Sequence, residues 1–393
     1  MKKKIKYALV LIILSVGTIV GWYFTSSRLK PCTTNAVFDH TPIKIQDIDY
    51  LTPLGVVAPP GHTYPTDHMY FYTDWEEEEG AVELYSPGNI TLTKISKTVY
   101  TPKPGHEPIH SWDTDYELEF AACREITGLF GHVINLTDEL ENRIGDFSDK
   151  NTETWSTTDA TIVCYNKEVS IKLSSGDLMG KAAPPGVALD LTVQDSRVSN
   201  YFVNKDIQSY EKHIVCPLDY FTEGVRNQLE PKLGGLLPGE DEFYNLTLDQ
   251  AGTIAFDKDD TAQGVWTVQN IPEGMRSEDV GLSLVNCSLN SSKGAISIGS
   301  HGFSWDCYVY YFEKNFTGKG NRDFSDVSAD GNVYWYHIRN YTAHILEDQC
   351  ILIKLIDNHN LKFQYVDLEG VELPSDPTSL WNRDENDSIH FVR

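Results

Sequence analysis

Residues 82–95 read VELYSPGNITLTKI, and this stretch indicates the fold class. Apolar and polar side chains alternate on both sides of a Ser-Pro-Gly-Asn turn, which is the pattern of two half-buried β-strands joined by a tight connection. Other segments between residues 45 and 200 alternate in the same way, with glycine and proline between them: MYFYTD, YELEF, ITGLFGHVINL, VSIKLSSGD and VALDLTV. We therefore expect residues 31–200 to form a compact, mostly antiparallel β-domain.

The chain changes character after residue 200. Apolar residues have helical spacing from about Leu218 to Leu229, with a proline near each end, which predicts a helical linker over residues 201–240. The segment GGLLPGEDEF then marks a boundary, and strand-like segments such as GVWTV, CYVYYFEK and CILIKLI follow it. We expect a second β-rich domain over residues 241–393, so the predicted fold class is mainly β.

The first 30 residues predict a membrane anchor. Four lysines precede the run Tyr7–Phe24, which contains 18 residues and no charge. A helix of that length spans about 27 Å, close to the hydrocarbon thickness of a bilayer. The lysines orient the N-terminus inwards, so the bulk of the chain is expected to be extracytoplasmic. A cleaved signal peptide is the alternative interpretation, although no small-x-small site follows the apolar run.

The charge balance limits the classes of partner. Residues 31–393 hold 26 of the 32 basic side chains and all 57 acidic ones. Nucleic acid and anionic lipid would be repelled by such a surface, so neither is expected as a partner. The chain also carries eight Asn-x-Ser/Thr sequons, which would indicate a glycosylated surface protein in an archaeon or a eukaryote.

Seven cysteines in an exported chain predict disulfides with one cysteine left over. We expect Cys123 to pair with Cys164, because both lie on strands of the first β-domain. Cys32, beside the membrane, is expected to stay unpaired. Two of the C-terminal cysteines are expected to pair with each other, from the set Cys216, Cys287, Cys307 and Cys350.

Residues 59–72, PPGHTYPTDHMYFY, concentrate metal-binding side chains. His62, Asp67 and His68 fall within seven positions, after a Pro-Pro-Gly turn and before an aromatic strand. Two imidazoles with a carboxylate form a donor set that suits zinc or iron(II). The alternative interpretation is a hydrogen-bonded polar turn that binds no metal.

The order of features over residues 50–196 resembles that of the lysostaphin/LytM-type zinc endopeptidases, which cut peptide crosslinks in bacterial cell walls. The His and Asp residues are followed by the glycine-containing hairpin at residues 82–95. Phe130-Gly131-His132 is similar to the family's tyrosine/phenylalanine-x-His segment, and a glycine turn then precedes Ala188-Leu189-Asp190. In the family this last position is a His-x-His strand. The resemblance implies a mostly antiparallel β-domain with a shallow groove across one sheet.

The resemblance also implies roles for individual residues. His62, His68 and Asp190 would hold zinc, and Asp67 would be a substitute ligand or the hydrogen-bonding partner of a ligating imidazole. His132 would be catalytic, polarising the scissile carbonyl or stabilising the oxyanion.

This chain departs from the family at three places. Four residues separate His62 from Asp67, where the family has three. Ala188 replaces a catalytic histidine, and Asp190 replaces a zinc-ligating histidine.

Two functions remain open at this point. The first is a membrane-anchored, zinc-dependent peptidase-like enzyme that acts on a cell-envelope peptide. The second is a non-catalytic surface protein that keeps the groove without metal and binds an envelope peptide or glycan, or serves a structural role. In the second case Asp190 would cap a loop or pair with a basic side chain. His132 would then be a strand histidine whose ring nitrogens form hydrogen bonds within the groove.

Overall fold

The computed structural model describes most of the chain beyond the N-terminal segment. The described residues are 29–59, 61–73, 81–108, 112, 114–157, 159–184, 186–205, 210–237, 240–299, 308–339, 345–367, 374–382 and 388–393. The predicted membrane anchor at Tyr7–Phe24 lies outside these ranges. Within them, no helix is long and apolar enough to cross a membrane.

The described chain is mainly β with antiparallel sheets, which confirms the predicted fold class at that level. The strands of the N-terminal half are β1 Ile48–Thr52, β2 Met69–Thr73, β3 Val82–Tyr85, β4 Ile90–Pro102, β5 Thr114–Ala121, β6 Ile126–Leu136, β7 Thr152–Ser156, β8 Ala160–Leu173, β9 Leu178–Ala182, β10 Leu189–Asp195 and β11 Ile214–Val215. Those of the C-terminal half are β12 Gly234–Leu236, β13 Phe243–Asn245, β14 Gly264–Val268, β15 Gly281–Asn286, β16 Lys293–Ile298, β17 Tyr308–Glu313, β18 Tyr334–Arg339, β19 Ile345–Asp357, β20 Asn360–Asp367 and β21 Ile389–Val392.

Helices are short. The α-helices in the described ranges are α1 Asp138–Ile144 and α2 Glu223–Leu229. The 3₁₀ turns are Ile45–Asp47, Asp149–Asn151, Glu211–His213, Pro217–Tyr220, Glu230–Lys232, Leu248–Gln250, Glu278–Val280, Phe324–Asp326 and Pro377–Asn382. The helical pattern predicted from Leu218 to Leu229 is therefore α2 with a 3₁₀ turn on each side, and not one continuous helix.

The chain packs into two compact units, each built from separate stretches of sequence. Within the described chain, the first unit contains residues 29–48, 72–197 and 219–227. The second contains residues 49–71, 198–218 and 228–393. Residues 49–71, which carry His62, Asp67 and His68, thus belong to the same unit as the C-terminal strands.

The first unit is an antiparallel sheet in which β10, β6, β5, β4, β8 and β7 lie side by side in that order. Strand β9 pairs with both β3 and β6. Along β5 the side chains of Tyr116, Leu118 and Phe120 are buried. Because successive side chains of a strand point to opposite faces, Asp115 and Glu117 lie together on the other face. One face of the sheet therefore packs on the core, and the other presents polar groups.

A disulfide joins Cys32 to Cys123, with the two Cα atoms 5.3 Å apart. The predicted Cys123–Cys164 bond is wrong, and the strand register explains why. Cys164 on β8 and Asp115 on β5 are both level with Thr98 of β4, the strand that lies between them. Cys123 lies beyond the far end of β5 at Ala121, which is six residues from Asp115, or roughly 20 Å at the rise of a β-strand.

The remaining cysteine predictions also need correction. Cys32, expected to be unpaired, is in the disulfide, and within the described chain no disulfide joins any two of Cys164, Cys216, Cys287 and Cys350. Cys307 lies outside the described ranges. The backbone N–H of Cys32 also donates to Glu125 Oε2 at 2.7 Å. The segment after the predicted anchor is thereby fastened to the turn that follows β5.

The second unit contains a closed barrel of eight antiparallel strands, β14 to β21, each paired with its neighbour in sequence. Barrels of eight strands have an interior just wide enough to be filled by side chains. Here the interior holds Trp266, Tyr336, Phe363, Phe391 and other apolar residues in one buried cluster. Strands β12 and β13 form a separate hairpin in this unit.

Arg393 stabilises one end of the barrel. Its guanidinium lies 4.2 Å from the centre of the Trp266 ring, and it is almost fully buried. It donates to the carbonyl oxygens of Thr261 and Gln263 at 2.7 Å, and to that of Asn358 at 2.9 Å. A buried cation is tolerated only when its N–H groups form hydrogen bonds. The hydrogen bonds of Arg393 connect the segment before β14 to the β19–β20 turn.

Candidate functional site

A β-bulge in β6 sets the orientation of His132. Phe130 pairs with Leu118 and Val133 pairs with Tyr116, so Gly131 and His132 together oppose the single residue Glu117. His132 has φ of +57°, in the left-handed region that non-glycine residues rarely adopt. Bulges of this kind redirect a side chain and are frequent beside functional sites. The bulge also marks the point where the strand beside β6 changes from β10 to β9.

The redirected imidazole lies between two carboxylates. His132 Nδ1 is 2.9 Å from Asp115 Oδ2, and His132 Nε2 is 3.4 Å from Asp190 Oδ2. Asp190 is directly opposite Gly131 in the β6–β10 pairing. A Cβ atom at position 131 would lie only 3.2 Å from the Cβ and Oδ2 atoms of Asp190. Glycine at this position leaves the room that the Asp190 side chain needs to reach His132.

The two carboxylates make His132 a cation at neutral pH. Burial of the ring opposes protonation, but the Asp115 hydrogen bond and the charges of Asp190 and Asp115 outweigh it and raise the pKa of His132 to about 9. The His132 side chain is 36 % exposed, whereas those of Asp115 and Asp190 are 13 % and 16 % exposed, so the imidazole is the most accessible of the three groups.

The surroundings of His132 are acidic. Glu117 lies on the same face of β5 as Asp115, and partial burial together with the Asp115 charge raises the pKa of Glu117. Burial and the same two carboxylates also raise the pKa of Tyr100 to about 12. Three carboxylates thus surround one imidazolium, and the local charge is negative. We call Asp115, Glu117, His132 and Asp190 the acidic face.

The second unit holds the other predicted site residues. Ala58 and His62 exchange two backbone hydrogen bonds, at 2.8 and 3.0 Å. The rings of His62 and His68 are 5.0 Å apart between centroids. His68 packs edge-on against Tyr70, with 4.7 Å between the two ring centroids. Residues 62–68 therefore bring two imidazoles into contact within one unit.

Asp67 orients one of these imidazoles. Its Oδ1 atom lies 2.7 Å from Nδ1 of His68. Despite burial, which acts in the opposite direction, the hydrogen bond from His68 and the charges of His68 and His62 hold the pKa of Asp67 below its usual value. A carboxylate bonded to one ring nitrogen fixes the ring and leaves the other nitrogen to serve as a ligand. This geometry favours Asp67 as the partner of His68.

The predicted residues thus form two groups, one in each unit. His132 and Asp190 are adjacent in the first unit, and His62, Asp67 and His68 are adjacent in the second. Convergence of His62, His68 and Asp190 on one zinc ion stays a prediction. Elsewhere in the described chain, donor atoms of Cys32, Cys123 and Glu125 lie within 4.8 Å of one another, but the two sulfurs are joined in the disulfide.

Sequence reasoning missed Asp115 and Glu117. Their signal is the alternation Asp115-Tyr-Glu117-Leu-Glu119, which puts three carboxylates on the polar face of one strand. Glu211 was missed as well. Burial, with the charges of Asp67 and Glu278, raises the pKa of Glu211 to about 7, and no sequence pattern indicates that burial.

No protein-family model, curated protein or solved structure matches this chain. The functional assignment therefore depends on the chemistry of the residues themselves.

Proposed function

We propose that this protein is a membrane-anchored, extracytoplasmic binding protein, similar in plan to LytM-type peptidases, that holds cell-envelope peptides without cutting them. The observation that supports this proposal is the position of the His132 imidazolium between Asp115 and Asp190. The acidic face is the proposed binding site, and an amino group of the peptide is the proposed ligand group.

The state of His132 favours binding over hydrolysis. A general base must have a free lone pair near the operating pH, and an imidazole with a pKa of about 9 is protonated there. Both ring nitrogens already face carboxylate oxygens, so neither N–H is directed at a scissile carbonyl. Ala188, where the family has a histidine, cannot take part in proton transfer.

The charge of the acidic face favours a cationic ligand. The acidic face has three carboxylates and one imidazolium, so repulsion among the carboxylates remains. A bound ammonium group would reduce that repulsion. Charge-assisted hydrogen bonds from an ammonium to carboxylates are about twice as strong as neutral ones. Peptides with a free side-chain amine, as in uncrosslinked envelope peptides, fit this requirement.

Calorimetric titration with a lysine-containing peptide and its Nε-acetylated twin tests the proposal. The free amine should bind at least tenfold more tightly than the acetylated peptide, because acetylation removes the charge. Asp190→Asn and Asp115→Asn should each weaken binding of the free amine about tenfold, the effect of losing one charge-assisted hydrogen bond.

Glu119→Gln is the matched control, because Glu119 pairs with Lys94 at 2.8 Å and lies beyond the acidic face. It should change the affinity less than twofold. Equal affinity for the two peptides would refute the proposed ligand class.

One observation supports the zinc-dependent alternative. The contact between His62 and His68, with Asp67 bonded to His68, is the arrangement expected of a metal-ligating imidazole pair. Zinc content measured after equilibration at neutral pH tests it. His68→Ala would abolish stoichiometric zinc, while His132→Ala would leave zinc unchanged and lower hydrolysis or peptide affinity.

A further inference from the structure

Asparagine sequons are more frequent in this chain than its composition explains. With 21 asparagines and 57 serines and threonines among 393 residues, about three Asn-x-Ser/Thr triplets are expected by chance, and eight occur. None of the eight has proline at the middle position. The chain therefore carries more than twice as many such triplets as its composition predicts.

The fold places the described sequon asparagines at the surface. Those at positions 89, 135, 245 and 315 are exposed, and those at positions 286 and 290 are half-buried. Asn340 and Asn386 lie outside the described ranges. N-linked glycans are bulky and soluble, so an acceptor must be at the surface.

Asn315 is exposed, and its backbone is fixed by hydrogen bonds with Asn321 and Asp323. It follows β17, and its neighbour Phe316 is 66 % exposed. The backbone N–H and the hydroxyl of Thr317 both donate to Asn315 Oδ1, at 3.1 and 3.2 Å. The carbonyl oxygen of the Asn315 amide is thus engaged, and its NH₂ group remains as the polar group available for a reaction.

An open cavity beside Asn315 leaves room for a sugar. It has a volume of about 550 Å³ and is lined by Asn315, Thr317, Asn321, Trp335 and His337, among others. A Cβ atom added at Gly318 would have nothing within 4 Å. Polar side chains beside an aromatic ring suit a polyhydroxylated ligand, which has both apolar and hydrogen-bonding surfaces.

Asn286 provides the contrast within the same unit. It is the last residue of β15 and pairs with Gly294 of β16. Its Oδ1 atom accepts a hydrogen bond from Lys314 Nζ at 2.5 Å. This bond holds the Asn286 amide against Lys314, whose side chain is only 5 % exposed, so a sugar attached to Asn286 Nδ2 would crowd the barrel wall.

We propose that Asn315 is an N-glycan acceptor in the folded protein and that Asn286 is not. In the reaction the Asn315 Nδ2 atom forms a bond to the anomeric carbon of a lipid-pyrophosphate-linked oligosaccharide. The lipid pyrophosphate leaves with the electron pair of the broken C–O bond, and the amide releases one proton to solvent. An oligosaccharyltransferase supplies the catalysis, so this chain contributes only the acceptor and its surroundings.

The test uses the folded full chain, a purified single-subunit oligosaccharyltransferase and a lipid-linked oligosaccharide, with glycopeptide mapping by mass spectrometry. Asn315 should be modified at least tenfold faster than Asn286. Thr317→Ser should keep the modification because it retains the hydroxyl, whereas Thr317→Ala should lose it.

Two short synthetic peptides that span the sequons at 286 and 315 provide the sequence control. Both peptides should be modified. That result would show that the difference in rate between Asn315 and Asn286 in the folded protein comes from its structure and not from the local sequence. A folded protein that is modified at Asn286 as fast as at Asn315 would overturn the proposal. So would a folded chain left unmodified at Asn315 while the corresponding peptide is modified.

Discussion

The Nδ1 atom of His132 lies 2.9 Å from the Oδ2 atom of Asp115, and this hydrogen bond has a direct spectroscopic consequence. We predict that the His132 imidazole titrates at a pKa of about 9 in the folded protein. Asp115→Asn should lower that pKa, because the amide keeps a hydrogen-bond acceptor but removes the charge. Proton NMR titration of the ring measures both values. Glu119→Gln, on the same side of β5 but beyond the acidic face, should leave the pKa of His132 unchanged.

Stability should fall as the pH rises through the titration of His132. The folded-state pKa of about 9 is above the value of 6.5 expected for an unfolded histidine. The stabilisation is therefore complete below about pH 6.5 and is lost between about pH 6.5 and 9. Solvent reaches 36 % of the side chain and screens the pair, so we expect a loss of about 1–2 kcal/mol.

Urea unfolding of the wild type and of His132→Gln at pH 6 and pH 9.5 measures the loss. The free-energy difference between the two proteins should be larger at pH 6. A difference that does not change with pH would show that His132 is not charged in the folded state.

The Cys32–Cys123 disulfide should contribute strongly to the stability of the first unit. It joins residues 91 positions apart, and the chain-entropy estimate for a loop of that length is about 4.6 kcal/mol. Cys32→Ser should lower the free energy of unfolding by about 2–5 kcal/mol, measured by denaturant titration under oxidising conditions. Cys164→Ser, which removes a free thiol, is the matched control. A Cys123–Cys164 peptide found by non-reducing mapping would contradict the fold of this unit.

Arg393→Ala should destabilise the barrel by about 3–5 kcal/mol. The substitution leaves the carbonyl oxygens of Thr261, Gln263 and Asn358 without their donor and removes the cation over Trp266. Arg276→Ala is the control, because the Arg276 side chain is 64 % exposed and its ion pairs are at the surface. It should cost less than about 1 kcal/mol. Thermal unfolding of the two variants compares them directly, and equal costs would mean that Arg393 does not hold the barrel end.

The fold class could be predicted from local patterns. The hairpin at residues 82–95 is observed as β3 and β4, but these strands do not pair with each other. Strand β3 pairs with β9, and β4 pairs with β5 and β8. The alternation of apolar and polar residues shows which face of a strand is buried. It does not show which strands pair, because pairing depends on contacts between residues far apart in sequence. The disulfide prediction was wrong because it too depended on which strands lie side by side.

The candidate site could be predicted only in part. His132 and Asp190 were identified by their order along the chain, and they lie 3.4 Å apart. Asp115 was missed because its contact with His132 depends on a bulge and on a positive φ at a non-glycine residue. A bulge inserts one extra residue into one strand of a pair, here β6, and a periodic pattern does not encode where that happens.

The central claim is that the acidic face binds envelope peptides without cutting them. A sedimentation assay with purified, peptide-crosslinked cell wall tests this claim most directly. The protein should sediment with the wall, Asp190→Asn should stay in the supernatant, and no new amino termini should appear with or without added zinc. Release of new amino termini that requires His132 would contradict the claim and would establish a peptidase.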